Sequence, residues 1–545
     1  MQVDYGMIND PKSDEVLLSI TDLRIEAEAD DGWHPIVNGV SLTLRKGEVL
    51  GPIGESGAGK STIGLASMGF TRPGCRISGG QIVFNGTDLL NLPKRQLRSI
   101  HGTRIAYVAQ SAAMAFNPAH RIIDQTVETA VHDMAMPRKE ANANALGLFR
   151  ELQLPDVEQL ALRYPHQVSG GQLQRAMTAM AISCRPELII FDEPTTALDV
   201  TTQVEVLAAI RKVVAEHNTA AIYITHDLAV VSQMADRVMV LRHGKEVEQA
   251  PTPEMLSSPR EAYTKSLWSV RQMHKPAEPR LDAVLEIRNI DATYARGAIK
   301  VLDDVSVSVP RGRTLAIVGE SGSAKSTLAR VVTGLLRPSA GDILFNGVAL
   351  PPVLKSRTRE QLRQIQLVYQ SADTALNPRQ RVRDLVGGRL ELYFGLAGRE
   401  KERRIGELLD MVELGSRYID RFPGELSGGQ KQRISLARAL AAEPELMICD
   451  EITSALDQIV QGEILKLLTR LQRETNVTYM FITNDIATVK AISDEVVVMN
   501  RGKVVQQGPK DSVLSPPYPD YTEKLLRSVP EIDPDWLNRL LTARQ

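Results

Sequence analysis

Short apolar runs alternate with longer helical stretches along this chain, and the same alternation occurs twice. The runs GEVLGPIG from Gly47 and TLAIVG from Thr314 have strand character, and each leads into a helical stretch, STIGLASMGF or STLARVVTGLL. A second pair of apolar runs, LIIFD and LMICD, ends on acidic residues, and a third pair, AIYITH and YMFITN, follows about thirty residues later. Continuous apolar runs of this length, separated by helices, predict a mostly parallel sheet buried on both faces. The stretch between Gln110 and Ser169, with its counterpart between Gln370 and Ser427, reads as helical, as in ANANALGLFRELQL. Each half is therefore expected to be an α/β domain with a helical subdomain inserted into its sheet core.

Equivalent landmarks recur 258 to 265 residues apart, so the chain is an internal duplication. Pro276 and Pro279 in HKPAEPRLD interrupt any helix at the join. The expected organisation is a first domain over 1–275 with a C-terminal extension, a linker over 276–284, and a second domain over 285–545 with its own extension.

Composition narrows the class. The 545 residues suit two large domains, each able to bury a core. With 24% charged residues and a net charge of −2, nothing marks a nucleic-acid partner. No stretch approaches the roughly eighteen apolar residues of a membrane span, and MQVDYGMINDPKSDEV lacks the basic and apolar regions of a secretory signal. A cytosolic chain is the expectation. Cys75, Cys184 and Cys449 are far apart and form no CxxC pair, which argues against a disulfide framework or a zinc or iron–sulfur site.

The chemistry is concentrated at the run ends. Gly54, Glu55, Ser56, Gly57, Ala58, Gly59, Lys60, Ser61 and Thr62 form a glycine-rich turn between strand and helix, as do Gly319, Glu320, Ser321, Gly322, Ser323, Ala324, Lys325, Ser326 and Thr327. Such a turn aims backbone N–H groups and a helix dipole at one point, which suits a polyphosphate. Lys60 and Lys325 would reach the terminal phosphates, and Ser61 and Ser326 would ligate magnesium. Asp192 and Asp450 suit the hydrated metal, and Glu193 and Glu451 are placed to polarise a water. A second anion-binding helix start is offered by Ser169, Gly170, Gly171 and Gln172, and again by Ser427, Gly428, Gly429 and Gln430. One phosphate site per loop already exists, so these segments make sense if each closes on the nucleotide held by the other half.

With these motifs the chain resembles the ATP-binding cassette (ABC) ATPases over nearly its whole length. The resemblance implies two P-loop NTPase cassette domains in a head-to-tail dimer around two ATP molecules. In that arrangement Gln110 and Gln370 link magnesium to the transmembrane interface, and His226 and Asn484 occupy the switch position at the γ-phosphate. Asp199 and Asp457 match the loop that crosses the dimer interface. Asn117-Pro118 and Asn377-Pro378, with Tyr263-Thr264 and Tyr521-Thr522 near the domain ends, look like the fused form of the oligopeptide, dipeptide and nickel uptake branch. This branch implies a peripheral ATPase on the cytoplasmic face of the cell membrane. Its partners would be two transmembrane permease subunits and an extracellular or periplasmic solute-binding protein. A sugar-importer ATPase and a tandem cassette protein acting on ribosomes are the alternatives; the paired Tyr-Thr ends argue against the first and the short linker against the second.

The two copies differ where hydrolysis is decided. Ala324 replaces the glycine before the loop lysine, at a cost set by its backbone angles. Asn484 replaces the switch histidine with a shorter side chain that cannot become cationic. Both changes fall in the second site, so the first is expected to hydrolyse ATP and the second mainly to bind it. Tyr294 is the expected adenine-stacking residue of the second half. The first half has Ala27 at that position, with Trp33 as a possible substitute.

Overall fold

The computed structural model describes residues 15–29, 31–195, 198–269, 275–276, 282–294, 299–454 and 456–543. Two compact units divide the chain, one formed by Met1–Trp268 with Pro530–Gln545 and the other by Ser269–Val529. Of the expected linker over 276–284, residues 277–281 lie outside the described residues.

The central sheet of the first unit has six strands in the order Lys245–Pro251, Arg237–Arg242, Val49–Gly54, Ala220–Ile224, Leu188–Asp192 and Ile105–Val108. All neighbours are parallel except the edge strand Lys245–Pro251. The second unit repeats the arrangement with Ile365–Val368, Leu446–Asp450, Thr478–Ile482, Thr314–Val318, Glu495–Asn500 and the antiparallel Lys503–Pro509. The apolar runs are buried throughout: every residue of Val49–Gly54, Leu188–Asp192 and Ala220–Ile224 is buried, as a sheet covered on both faces requires.

A second sheet in each unit was not anticipated from the apolar runs. It is antiparallel, with four strands ordered Gly32–Arg45, Val16–Ala29, Cys75–Phe84 and Thr87–Asp88, and it has a matching copy in the second unit. Leu18, Ile20, Leu23 and Ile25 turn inward and share a core with Ile63 and Ala66 of the helix Lys60–Ala66 and with Ile190 and Ile222 of the central sheet. The spacing slips from Ile20 to Leu23 because the register shifts there, with Asp22 at φ 47°. That break hides the period-two pattern in the sequence.

The inserted segments are helical as expected. Arg138–Glu151 buries Ala141, Ala145, Leu148 and Phe149, a 3.6-residue stripe facing the subdomain interior. In the second unit Val382–Phe394 and Gly398–Met411 pack with Gly428–Leu440 around Val386, Leu390, Ile405 and Leu409.

The domain ends differ from the expected 1–275 and 285–545. Lys275 is already part of the second unit, where its buried ammonium pairs with Asp494 at 2.6 Å and reaches Gln472 at 2.9 Å. Conversely, the chain's last sixteen residues join the first unit. Trp536, Leu537 and Leu540 of the helix Trp536–Ala543 are buried there. Gln233 fixes the segment: its side-chain N–H donates to the carbonyls of Glu531 (3.0 Å) and Asp533 (2.6 Å), and its side-chain carbonyl accepts from the Leu537 N–H at 3.1 Å. The position equivalent to Gln233 in the second half is Ala491, which could form none of these bonds. A chain ending at Val529 should lose about 3 kcal/mol of first-unit stability, through the lost apolar burial and a buried amide left without partners. Hydrogen exchange resolved by domain checks this: protection should fall in Leu228–Met234 and Val200–Glu216 and stay unchanged in the second unit.

Candidate active sites

Parallel register brings the predicted residues to one edge of each sheet. Asp192 is in register with Ile224, Gly54 with Leu241, and in the second unit Asp450 with Ile482. The phosphate loops follow Gly54 and Gly319. A Cβ at Gly54 would lie 2.1 Å from the Leu241 carbonyl oxygen, so the tight turn admits only glycine. Lys60 Nζ donates to the carbonyls of Gly54 and Glu55, each at 2.8 Å, and Lys325 Nζ to those of Gly319 (2.8 Å) and Glu320 (3.0 Å). Both lysines are thereby folded over their own loop and buried.

The loop serine and the strand-end aspartate meet in both halves. Ser61 Oγ donates to Asp192 at 2.7 Å and Ser326 Oγ to Asp450 at 2.9 Å. The next residue, Glu193 or Glu451, extends the ladder by one backbone bond, its N–H donating to Ile224 or Ile482 at 2.9 Å. Both glutamates then adopt a left-handed conformation, φ 48° and 51°. Non-glycine residues held there carry strain on the order of 1–3 kcal/mol, which packing must offset. Gln110 Nε2 reaches the Glu193 carboxylate at 3.1 Å and Gln370 Nε2 that of Glu451 at 2.8 Å. The glutamines expected beside the metal thus orient the adjacent glutamate here.

The switch residues differ as their chemistry suggests. His226 Nδ1 lies 3.2 Å from Glu193 Oε1. Burial opposes a charge on His226, but the hydrogen bond and negative charge of Glu193, aided by Asp227, outweigh it and raise the imidazole above its ordinary value. Among the described residues no comparable bond joins Asn484 to Glu451. Burial raises the Asp450 and Glu451 carboxyls, opposed in part by Lys325 and, at Asp450, by Ser326. In the first site the Tyr107 hydroxyl donates to the second oxygen of Asp192 at 2.6 Å. Burial, reinforced by that bond, pushes the phenol far above its ordinary value, so it remains a donor.

The Ser169–Gln172 and Ser427–Gln430 segments are helix starts, as expected. Ser169 caps Gly170–Ile182 and Ser427 caps Gly428–Leu440, each with a reciprocal glutamine, Gln172 or Gln430. Ser169, Gly170, Ser427 and Gly428 are exposed, whereas Gly171 packs so closely on Thr202 that a Cβ would lie 2.3 Å from it. Within its own unit, neither segment is hydrogen-bonded to the phosphate loop among the described residues.

Ala324 decides a question the sequence leaves open. It stands at φ 76° and ψ 20°, matching Gly59 at 94° and 3°. This is the left-handed region, so the methyl group is strained there. Tyr263 and Tyr521 also gain a role that the sequence shows only as a repeated pair: their hydroxyls accept from the N–H of Glu55 (3.3 Å) and Glu320 (3.0 Å), bracing each loop from the domain's C-terminal extension. Tyr294 receives a bond from Arg330 at 3.3 Å, and the ring of Trp33 carries the Arg76 guanidinium 4.1 Å from its centre.

The ABC transporter family profile matches residues 37–196 and 302–454, one stretch in each unit, and each stretch contains the glycine-rich loop and the strand-end acidic pair. The chain belongs to that family. The profile of the oligopeptide/dipeptide transporter C-terminal region matches residues 505–545, which include Tyr521 and the terminal helix. This ABC ATPase is 34% identical to the glutathione import ATP-binding proteins GsiA of Escherichia coli O157:H7 and Shigella dysenteriae serotype 1 (strain Sd197), over 96% of this chain and 92% of each relative. Among solved structures, cbiO1 from Clostridium perfringens, part of the ABC transporter complex cbiONQ, is 31% identical over 43% of this chain and 90% of its own, with a TM-score of 0.39.

Replacing Ala324 by glycine should stabilise the second unit by about 1 kcal/mol and tighten its nucleotide binding by a few-fold. Titration with a fluorescent ATP analogue checks this, with Gly59→Ala expected to do the reverse in the first unit.

Proposed function

We propose that this ABC ATPase energises a membrane importer for peptides or peptide-like solutes from the cytoplasmic face. On this reading it works with two permease subunits and a solute-binding protein. The observation that carries the transport reading is the oligopeptide/dipeptide match over 505–545 on a chain that contains both cassettes. The glutathione-importing relatives support a small peptide-like solute. No helix among the described residues is long and apolar enough to cross a membrane.

Magnesium fits the first site as a partner of ATP. A serine hydroxyl and a carboxylate oxygen 2.7 Å apart are hard donors, and magnesium usually takes only one or two such protein ligands beside phosphate and water. Ser61 and Asp192 would hold it in the first half and Ser326 and Asp450 in the second, where it would neutralise phosphate charge. Lys60 and the loop N–H groups would bind the phosphates. Glu193 would orient the attacking water and accept its proton, with Gln110 fixing one carboxylate oxygen and His226 the other.

The two sites would be unequal. The contact that supports this is His226 to Glu193, which Asn484 does not reproduce, together with the strained Ala324 in the second loop. The first site would hydrolyse ATP while the second mainly holds it. Gentle affinity purification from detergent-solubilised membranes tests the transport reading. Two multi-span permeases and a solute-binding protein are the expected companions; ribosomal proteins, or no membrane protein at all, would overturn it.

A further inference from the structure

Tyr107 has no counterpart in the second half. It lies in Ile105–Val108, the strand that pairs with Leu188–Asp192, and its hydroxyl crosses to Asp192 Oδ2 at 2.6 Å. Ser61 donates to the other oxygen, Oδ1, at 2.7 Å. Two donors on two oxygens fix both the position and the rotation of the carboxylate. In the second half the equivalent strand Ile365–Val368 carries Leu367, a half-buried apolar side chain packed against the core that can donate no hydrogen bond. Asp450 there receives a side-chain hydrogen bond only from Ser326, at 2.9 Å, among the described residues. Its carboxylate is held at one oxygen and can turn about its last torsion.

We infer that Tyr107 is a positioning residue which locks Asp192 in its metal-holding orientation and so gives the first site the higher affinity for the divalent cation that accompanies ATP. The inference rests on Asp192 and Ser61 forming the metal site. The rigid carboxylate keeps the Ser61 hydroxyl proton engaged, leaving the serine lone pairs free for the metal. A carboxylate held at one oxygen must lose torsional freedom when the cation binds, which weakens binding. The phenol touches neither nucleotide nor reacting atoms on this account; it acts through Asp192.

The test uses the full chain with a non-hydrolysable ATP analogue and manganese as the probe, read by electron paramagnetic resonance. Two classes of nucleotide-dependent manganese site are expected. Tyr107→Phe should weaken the tighter class by about five- to tenfold, and Leu367→Tyr should strengthen the weaker class. Binding of the analogue in excess chelator should change in neither variant. Manganese affinities insensitive to both substitutions would overturn the inference, as would an equal loss of metal-free analogue binding in Tyr107→Phe, which would mark a purely structural role. Absence of any nucleotide-dependent manganese binding in the unaltered chain would instead refute the metal site itself.

Discussion

Everything at the active sites depends on the parallel register of three adjacent strands. Val49–Gly54, Ala220–Ile224 and Leu188–Asp192 run the same way, so the phosphate loop, the switch residue and the acidic pair all emerge at one edge. The Ser61–Asp192 bond then ties the first helix turn to a strand two places away. Because these strands are buried on both faces, a slip of one residue would misfit the packing on each face and separate the serine from the aspartate. The same constraint holds in the second unit, where Ser326 and Asp450 meet in the same way.

On this shared frame the halves diverge by a few side chains. In the first unit Glu193 is held by a glutamine and a histidine, and Asp192 by a serine and a tyrosine. In the second, histidine becomes asparagine, tyrosine becomes leucine, and a loop glycine at a left-handed position becomes alanine. Each change removes a contact or adds strain without disturbing the sheet. The sheet and loop scaffold is therefore duplicated, while the groups that hold the strand-end carboxylates are concentrated in one copy.

The motif residues, the duplication and the parallel core were legible because buried strands and phosphate loops impose composition directly: apolar runs, fixed glycines, and an acidic pair at a strand end. The antiparallel sheets were harder to read because register shifts break their alternation, as between Ile20 and Leu23. Backbone angles were invisible, so neither the strain at Ala324 nor the left-handed glutamates could be read from residue identity. Tyr263 and Tyr521 stood out only as a repeat; their hydrogen bonds to the loops span about two hundred residues, beyond the reach of local pattern. The terminal helix joins the first unit through Gln233 and a small apolar face, and its amphipathic sequence carries no sign of which half it covers.

The inequality of the two sites is tested most directly by steady-state ATP hydrolysis of the chain assembled with its membrane partners, comparing Glu193→Gln with Glu451→Gln. Near-complete loss in the first variant with most activity kept in the second is the expected result. Equal loss in both would contradict a division between a hydrolysing and a holding site.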